Sequence, residues 1–257
     1  LGTSIASLST LQRVLVVGSN LRKDHPLFAQ RIRQAARHGC QVSAVGSVVQ
    51  DWAMPVQPFV AQNASEWVTT LGGIAFAVAQ EKGVAAPQGA AAASDAAQAI
   101  ARSLLGGERK AVLLGNGAAH HAQATQLLAL ANWIAENTGA TVGYLTEAAN
   151  TVGAQFAGAH PVNGGLNAAQ MLSGGLRAAV LLNTEPVYDS AAGAQAATAL
   201  TGAEMVVTLS PFKANMEFSD VLLPIAPFTE TSGSFVNAEG RLQSFHAVVR
   251  PLVDTRP

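Results

Sequence analysis

The residues best suited to chemistry in this chain lie in three short polar segments, each just after an apolar run. They are Gly18-Ser19-Asn20, Gly115-Asn116-Gly117 and Asn183-Thr184-Glu185-Pro186. At the carboxyl ends of parallel strands, such residues bind nucleotide-like cofactors. Glycine lets a phosphate approach the backbone, and asparagine hydrogen-bonds a phosphate, ribose or base. Glycine and asparagine also fill ordinary strand-to-helix turns, so residue type alone leaves both readings open. A nicotinamide site has less support. Gly18 stands without the rest of G-x-G-x-x-G, and the run Ala44-Val45-Gly46-Ser47 ends without the ribose-binding acid. A P-loop is excluded, because none of Lys23, Lys82, Lys110 and Lys213 follows a glycine.

Among acid–base candidates, His120 and His121 stand just past Gly117. Adjacent residues on a helix do not face the same way, and no third ligand follows either at i+3 or i+4. They read as helix-entry histidines making local hydrogen bonds. His25, His38, His160 and His246 are scattered, each beside a turn or strand. No G-x-S-x-G occurs, so a nucleophile elbow has no support. Glu230 and Glu239 both flank expected turns, and nothing fixes their separation. Cys40, between Gly39 and an apolar run, reads as a small buried hydrophobe. No catalytic or metal-ligating set emerges.

The elements that must position these residues alternate between strand and helix. Val14 to Val17 is a short β-branched run of the kind buried on both faces of a parallel sheet. Asp24 is expected to cap a helix whose first turn accepts Pro26, with Phe28, Ile32 and Ala35 on one face and Gly39 as its stop. A second strand over residues 40–45 completes a βαβ-length unit. A helix is expected over 65–82, then a low-complexity stretch over 84–93 broken by Pro87 and Gly89, where the domain boundary is placed. Helices over 94–105 and 122–137, and strands over 110–115, 140–145, 177–182 and 204–209, continue the alternation. The expected fold is α/β, with two lobes of largely parallel sheet flanked by helices, residues 1–87 and 88–257. The tail differs: Asn237-Ala238-Glu239-Gly240 fits a type I turn between two short strands, a C-terminal β-hairpin.

Composition narrows the classes. Charged residues make up 12% of the chain against about 25% usually, hydrophobic residues 49%, and the net charge is −1. Nucleic-acid-binding modules normally carry a basic excess, so no nucleic-acid partner is expected. No run is long and apolar enough to span a bilayer. The single Cys excludes an internal disulfide, a multi-thiolate zinc site and a four-cysteine cluster. Six basic residues (Arg13, Arg22, Lys23, Arg31, Arg33, Arg37) against Asp24 alone in the first forty positions suggest a solvated helix face or, second, a docking surface for an acidic partner. The chain runs from Leu1 to Pro257 and reads as part of something longer.

The run from Glu230 to Gln243, ETSGSFVNAEGRLQ, resembles the E-x-x-G-[ST]-[FY]-x-N-x-E-G-R-x-Q signature of the molybdopterin oxidoreductase superfamily. Ser219 to Pro224, SDVLLP, is similar to that superfamily's A-D-V-V-L-P strand. Val17 to Pro26 (VGSNLRKDHP) and Ala148 to Ala154 (AANTVGA) most resemble one branch, the large iron–sulfur subunit (75 kDa type) of bacterial NADH–quinone oxidoreductase, complex I. The resemblance runs from about Arg13 to Pro251. It implies a molybdopterin oxidoreductase fold of formate dehydrogenase type, and a scaffold and docking part of respiratory electron transfer. The implied partners are its own cluster-bearing N-terminal domains and other peripheral-arm subunits. The implied place is peripheral, on the cytoplasmic side of the bacterial inner membrane. In relatives that bind the pterin dinucleotide, the cofactor loops match Gly18, Ser19, Asn20, Gly115, Asn116, Gly117 and Asn183. Here NTEP replaces G-x-[ND]-P at Asn183, and Phe212-Lys213-Ala214-Asn215 replaces F-x-T-E-T-A. The implied loops are therefore vestigial: no molybdopterin guanine dinucleotide, no metal and no catalytic centre, with iron–sulfur clusters held elsewhere in the parent. Two alternatives are a cofactor-binding part of a catalytic formate dehydrogenase or nitrate reductase, and a freestanding nucleotide-binding module.

Overall fold

The computed structural model describes residues 1–251 and 254–256. Two compact units divide the chain: Leu1–Val152 with Val236–Arg241, and Gly153–Phe235 with Leu242–Pro257.

In the first unit, apolar runs too short for helices become strands β1 (Arg13–Val17), β2 (Gln41–Gly46), β3 (Phe59–Ala61), β4 (Lys110–Leu114) and β5 (Thr141–Tyr144). They form one parallel sheet in the order β3-β2-β1-β4-β5. The chain leaves β1 toward one side and returns to β4 on the other, so the order reverses between these two strands. Helices α1 (Leu21–Asp24), α2 (Pro26–Arg37), α3 (Trp67–Lys82), α4 (Asp95–Leu105), α5 (Asn116–Ala119) and α6 (Ala124–Thr138) make the connections. Side chains alternate across a strand, and both faces are covered. Leu15 and Val17 pack with α3, α4 and α6 through Leu71, Ile74, Ile100 and Leu127. Val14 and Val16 pack with α2 and a 3-10 turn through Ile32, Ala35 and Leu8.

Local sequence explains the helix ends. Ser94 caps α4, its Oγ accepting from Ala97 N–H at 3.2 Å. Gly39, at φ +92°, supplies the left-handed residue after α2. Asp24 does not cap α2 as expected. Its carboxylate instead turns back to accept from Asn20 N–H at 2.9 Å, closing the one-turn helix α1. Strand β3 carries no alternating pattern of its own and is set by its pairing with β2.

The division expected near Pro87 falls inside this unit. β4 pairs with β1 along its full length, so residues on both sides of Pro87 share one sheet. The stretch over 84–93 lies against α3 at a notch formed by Gly72 and Gly73. A Cβ on Gly72 would stand 2.3 Å from the Gly89 carbonyl oxygen, and one on Gly73 3.3 Å from that of Ala92. Low complexity here marks a close backbone crossing rather than a linker. Gly72→Ala is therefore expected to destabilise the unit by about 1–3 kcal/mol through overpacking, read as a lower urea midpoint with an unchanged slope.

In the second unit, α7 (Thr151–Phe156) and α8 (Ala168–Met171) precede β6 (Ala178–Leu182), α9 (Pro186–Asp189), α10 (Ala194–Thr201), β7 (Met205–Ser210) and β8 (Val221–Pro224). The three strands form a parallel sheet in the order β6-β7-β8. Its core joins Leu172, Ala196, Leu200, Val206 and Phe218. Strands β9 (Gly233–Val236) and β10 (Leu242–Phe245) make the C-terminal hairpin.

The second unit repeats the start of the first, bond for bond. Gly18 N–H donates to Val45 O and Asn183 N–H to Leu209 O; Gln41 N–H donates to Gln12 O and Met205 N–H to Arg177 O. Gln62 N–H to Gly46 O is matched by Ile225 N–H to Ser210 O. Thus β1-α1-α2-β2-β3 and β6-α9-α10-β7-β8 are two copies of one arrangement in the same register.

Candidate functional site

The reversal of strand order between β1 and β4 is where an open α/β sheet normally offers a crevice. The structure brings the turns after those strands into direct contact there. Gly117 N–H donates to Gly18 O at 2.7 Å, and Gly115 N–H donates to Val17 O at 2.8 Å. A Cβ on Gly115 would stand 2.3 Å from Ser19 Cβ and 2.7 Å from Gly18 O; one on Gly18 would stand 2.5 Å from Ala118 N. Gly18 also sits at φ +64°, the left-handed region that glycine enters without steric cost. The buried indole of Trp67, the first residue of α3, closes the crevice from one face, within 3.0 Å of Cβ positions on both Gly18 and Gly117. Buried Ser19 Oγ, Asn116 Oδ1 and Trp67 Nε1 have no hydrogen-bond partner among the described residues.

Of the expected site residues, Gly18 and Ser19 thus meet Gly115 and Gly117 at one place, with Asn116 between the latter two and Asn20 turned to its own helix. Their close approach joins turn to turn. The nearby histidines divide, as adjacent positions should. His120 Nε2 pairs with Glu147 Oε2 at 2.6 Å, both side chains well exposed. His121 stacks on Trp67 with ring centroids 5.8 Å apart. Its Nδ1 accepts from Gln123 N–H at 2.9 Å, so Nε2 carries the proton donated to Ala64 O at 2.9 Å. No group of three or more His, Cys, Asp or Glu side chains among the described residues could hold a metal ion. Cys40 is buried, and burial pushes its thiol up to about 11. Such a thiol stays protonated and unreactive at neutral pH.

Asn183 belongs to the second unit, in the turn after β6 that corresponds to the turn after β1. It adopts φ +49° where its counterpart is Gly18. The next residues close on themselves: Glu185 N–H donates to Asp189 Oδ2 at 2.7 Å, and Thr184 Oγ1 lies 3.2 Å from the same oxygen. Asn215, at φ +58°, donates from Nδ2 to Thr184 O at 2.9 Å. In both units, then, an aspartate four residues on from the turn binds the turn's own backbone N–H: Asp24 at Asn20 and Asp189 at Glu185. Reading each turn alone gave Asp24 as a helix cap and passed over Asp189. Their equal spacing in the two turns is the signal that aligning the repeats would have exposed.

The model of the molybdopterin oxidoreductase family matches residues 1–257. The chain belongs to that family. No curated protein matches it significantly. Among solved structures it is similar to a chain of the formyltransferase/hydrolase complex FhcABCD from Methylorubrum extorquens, determined in complex with methylofuran. That likeness has a TM-score of 0.64 at 15% identity, covering 99% of this chain and 74% of the other, and concerns the fold. No helix among the described residues is long and apolar enough to cross a membrane.

The hairpin residues that resemble the family's signature have structural work. Phe245 lies over Gly233, where a Cβ would come within 2.7 Å of its ring, and packs edge-on against Phe235 at 5.0 Å. Asn237 Oδ1 accepts from Glu239 N–H and Arg241 N–H, while Gly240 N–H donates to Asn237 O, closing the expected turn with Gly240 at φ +85°. Glu239 accepts from Ile5 N–H at 2.7 Å and pairs with Arg241 at 3.4 Å. Asn150, in one of the two runs that resemble the complex I branch, accepts from Val236 N–H at 2.8 Å. The Asn237 to Arg241 part of the signature thus describes how a tight turn is held.

In this family member, Gly115→Ala places a methyl against backbone on the opposing turn. It is expected to cost about 2–3 kcal/mol or more, lowering the thermal midpoint by several degrees. His25, 5% exposed and stacked on Phe28, is lowered by burial, with Asp24 and Glu147 opposing. The unfolded chain takes up this proton near pH 6.5 and the folded chain only at lower pH. This contribution is complete above about pH 6.5 and is lost as pH falls through the folded value. Urea titrations at pH 8 and at mildly acidic pH should show a smaller acid loss for His25→Phe than for the natural chain.

Proposed function

We propose that this chain is the scaffold part of the large iron–sulfur subunit of a bacterial NADH–quinone oxidoreductase, complex I, with no redox or catalytic centre of its own. The observation that carries this reading is the pair of internal carboxylates. Phosphate groups are commonly held on backbone N–H groups at strand-to-helix turns, and each of the two corresponding turns here gives one such donor, Asn20 N–H and Glu185 N–H, to its own aspartate, Asp24 and Asp189. An entering phosphate would have to displace a carboxylate of like charge from each. At the β1–β4 reversal it would also meet Gly18, Gly115 and Trp67 already in mutual contact. The residues present do not fit the group, and no step is assigned to it.

The choice of branch rests on the runs Val17 to Pro26 and Ala148 to Ala154. In this reading electrons pass from NADH to quinone through clusters bound outside these residues. Cys40, a single buried cysteine, is assigned a packing role in this reading. Its partners are the cluster-bearing domains of its own subunit and neighbouring peripheral-arm subunits, on the cytoplasmic face of the inner membrane.

The test is purification of the native assembly through a tag on this chain. Coelution with NADH–quinone reductase activity, with molybdenum and oxidised pterin fluorescence far below one per chain, is expected. Stoichiometric pterin and molybdenum with formate or nitrate reductase activity would replace the proposal with the catalytic reading. A saturable thermal shift with NAD, flavin or nucleotides would replace it with the nucleotide-module reading.

A further inference from the structure

The two copies of the βαβ arrangement are dressed differently. In the first unit, Leu15, Val17, Val45 and Val60 form one face of the sheet and pack against α3, α4 and α6. The registers of β1-β2-β3 and β6-β7-β8 assign their counterparts as Val180, Leu182, Leu209 and Leu223. This second set is just as aliphatic, yet Val180 is 72% exposed, Leu182 65% and Leu223 46%. The opposite faces agree: Val14 and Val16 are buried under α2, and Ala179 and Leu181 pack toward the core under α10. The second sheet therefore has its α2-type layer and lacks the other.

Physical chemistry names what is missing. Parallel sheets carry helices on both faces, and their strands are apolar on both sides for that reason. An aliphatic face on a parallel sheet without its helix layer departs from that pattern. Its size restricts the occupant. Strands about 4.8 Å apart with a rise of ~3.3 Å per residue make this face roughly 14 by 16 Å. That is far below the ~800 Å² per partner of a stable dimer, which argues against a second copy of this chain. It is wide enough for one helix of about 11 residues, about 10 Å across, and too narrow for two side by side.

We propose that this face of β6-β7-β8 is a docking site for an amphipathic α-helix from a binding partner, with an aliphatic and small-residue stripe like those of α3, α4 and α6. The inference deepens the scaffold reading and rests on it for the existence of a partner. No charge lies among the four central positions, so the docked stripe is uncharged and its polar residues fall at the rim. There the exposed Arg177–Glu204 pair, bonded at 3.0 and 2.9 Å, stands beside the first positions of β6 and β7.

The test places a photo-cross-linking benzoylphenylalanine at Val180 and, separately, at Leu223 in the protein within its native assembly. Val48, 63% exposed in the first unit, serves as the control position. Adducts from both test positions should map to one partner peptide whose apolar residues recur every three to four positions, at yields well above that at Val48. Adducts with a second copy of this face, with lipid or with a non-helical segment, or yields equal to the control, would overturn the proposal. Val180→Asp provides a second measurement. It should leave the thermal midpoint of the isolated chain unchanged and abolish the Leu223 adduct; an undiminished adduct would count against the docking site. Pterin found in the native assembly would overturn the scaffold reading while the adducts stood, and absent adducts would overturn the docking site alone.

Discussion

The hydrogen bond from Gly117 N–H to Gly18 O, 2.7 Å long, joins the two halves of the first unit at the point where its strand order reverses. Backbone can meet backbone there only because Gly18, Gly115 and Gly117 carry no Cβ. That contact holds β1 and β4 side by side, which places residues 13–17 and 110–114 in one sheet across an intervening stretch of low complexity. It also seats Trp67 at the head of α3, the helix that anchors the larger of the two cores. The close approach of the two turns thus continues the β1–β4 pairing beyond the strands and fixes where Trp67 sits.

A turn at the end of a parallel strand leaves backbone donors that must be satisfied. An anion bound from outside can do this, and so can a carboxylate folded back from four residues along the chain. Both cannot use the same N–H. Asp24 and Asp189 take the internal solution in both copies of the βαβ arrangement, together with a left-handed residue at the turn, Gly18 in one and Asn183 in the other. Strand register and α2-type packing in both copies therefore rest on contacts within the chain itself.

Much of the fold was legible in the sequence because it rests on local rules. Val14 to Val17 as a strand, Ser94 as a cap, Gly39 as a stop and the Asn237–Gly240 turn each depend on a few neighbouring residues. What was not legible depends on distant pairing. The division placed near Pro87 failed because composition shows a break in regular structure but not that Gly72 and Gly73 form a seat for it. The expectation for Asp24 failed because capping rules favour the nearest helix, whereas the free N–H of Asn20 lay behind it. Gly18 to Asn20 and Gly115 to Gly117 stood out as strand-end turns, but their backbone contact did not, since glycine at a ligand site and glycine at a backbone crossing look alike until the opposing atom is known.

The two units also account for the unusual composition. With 12% charged residues and abundant alanine and glycine, the chain can bring sheet and helix layers close together. In the first unit that apolar content is used on both sheet faces. In the second, one face of the sheet is as aliphatic as its counterpart and remains in water. A free-standing domain would gain solubility from polar residues at Val180, Leu182 and Leu223, and their exposure there would cost no packing. Their aliphatic character therefore follows the pattern of a parallel sheet built for cover on both faces, of which the second unit supplies one.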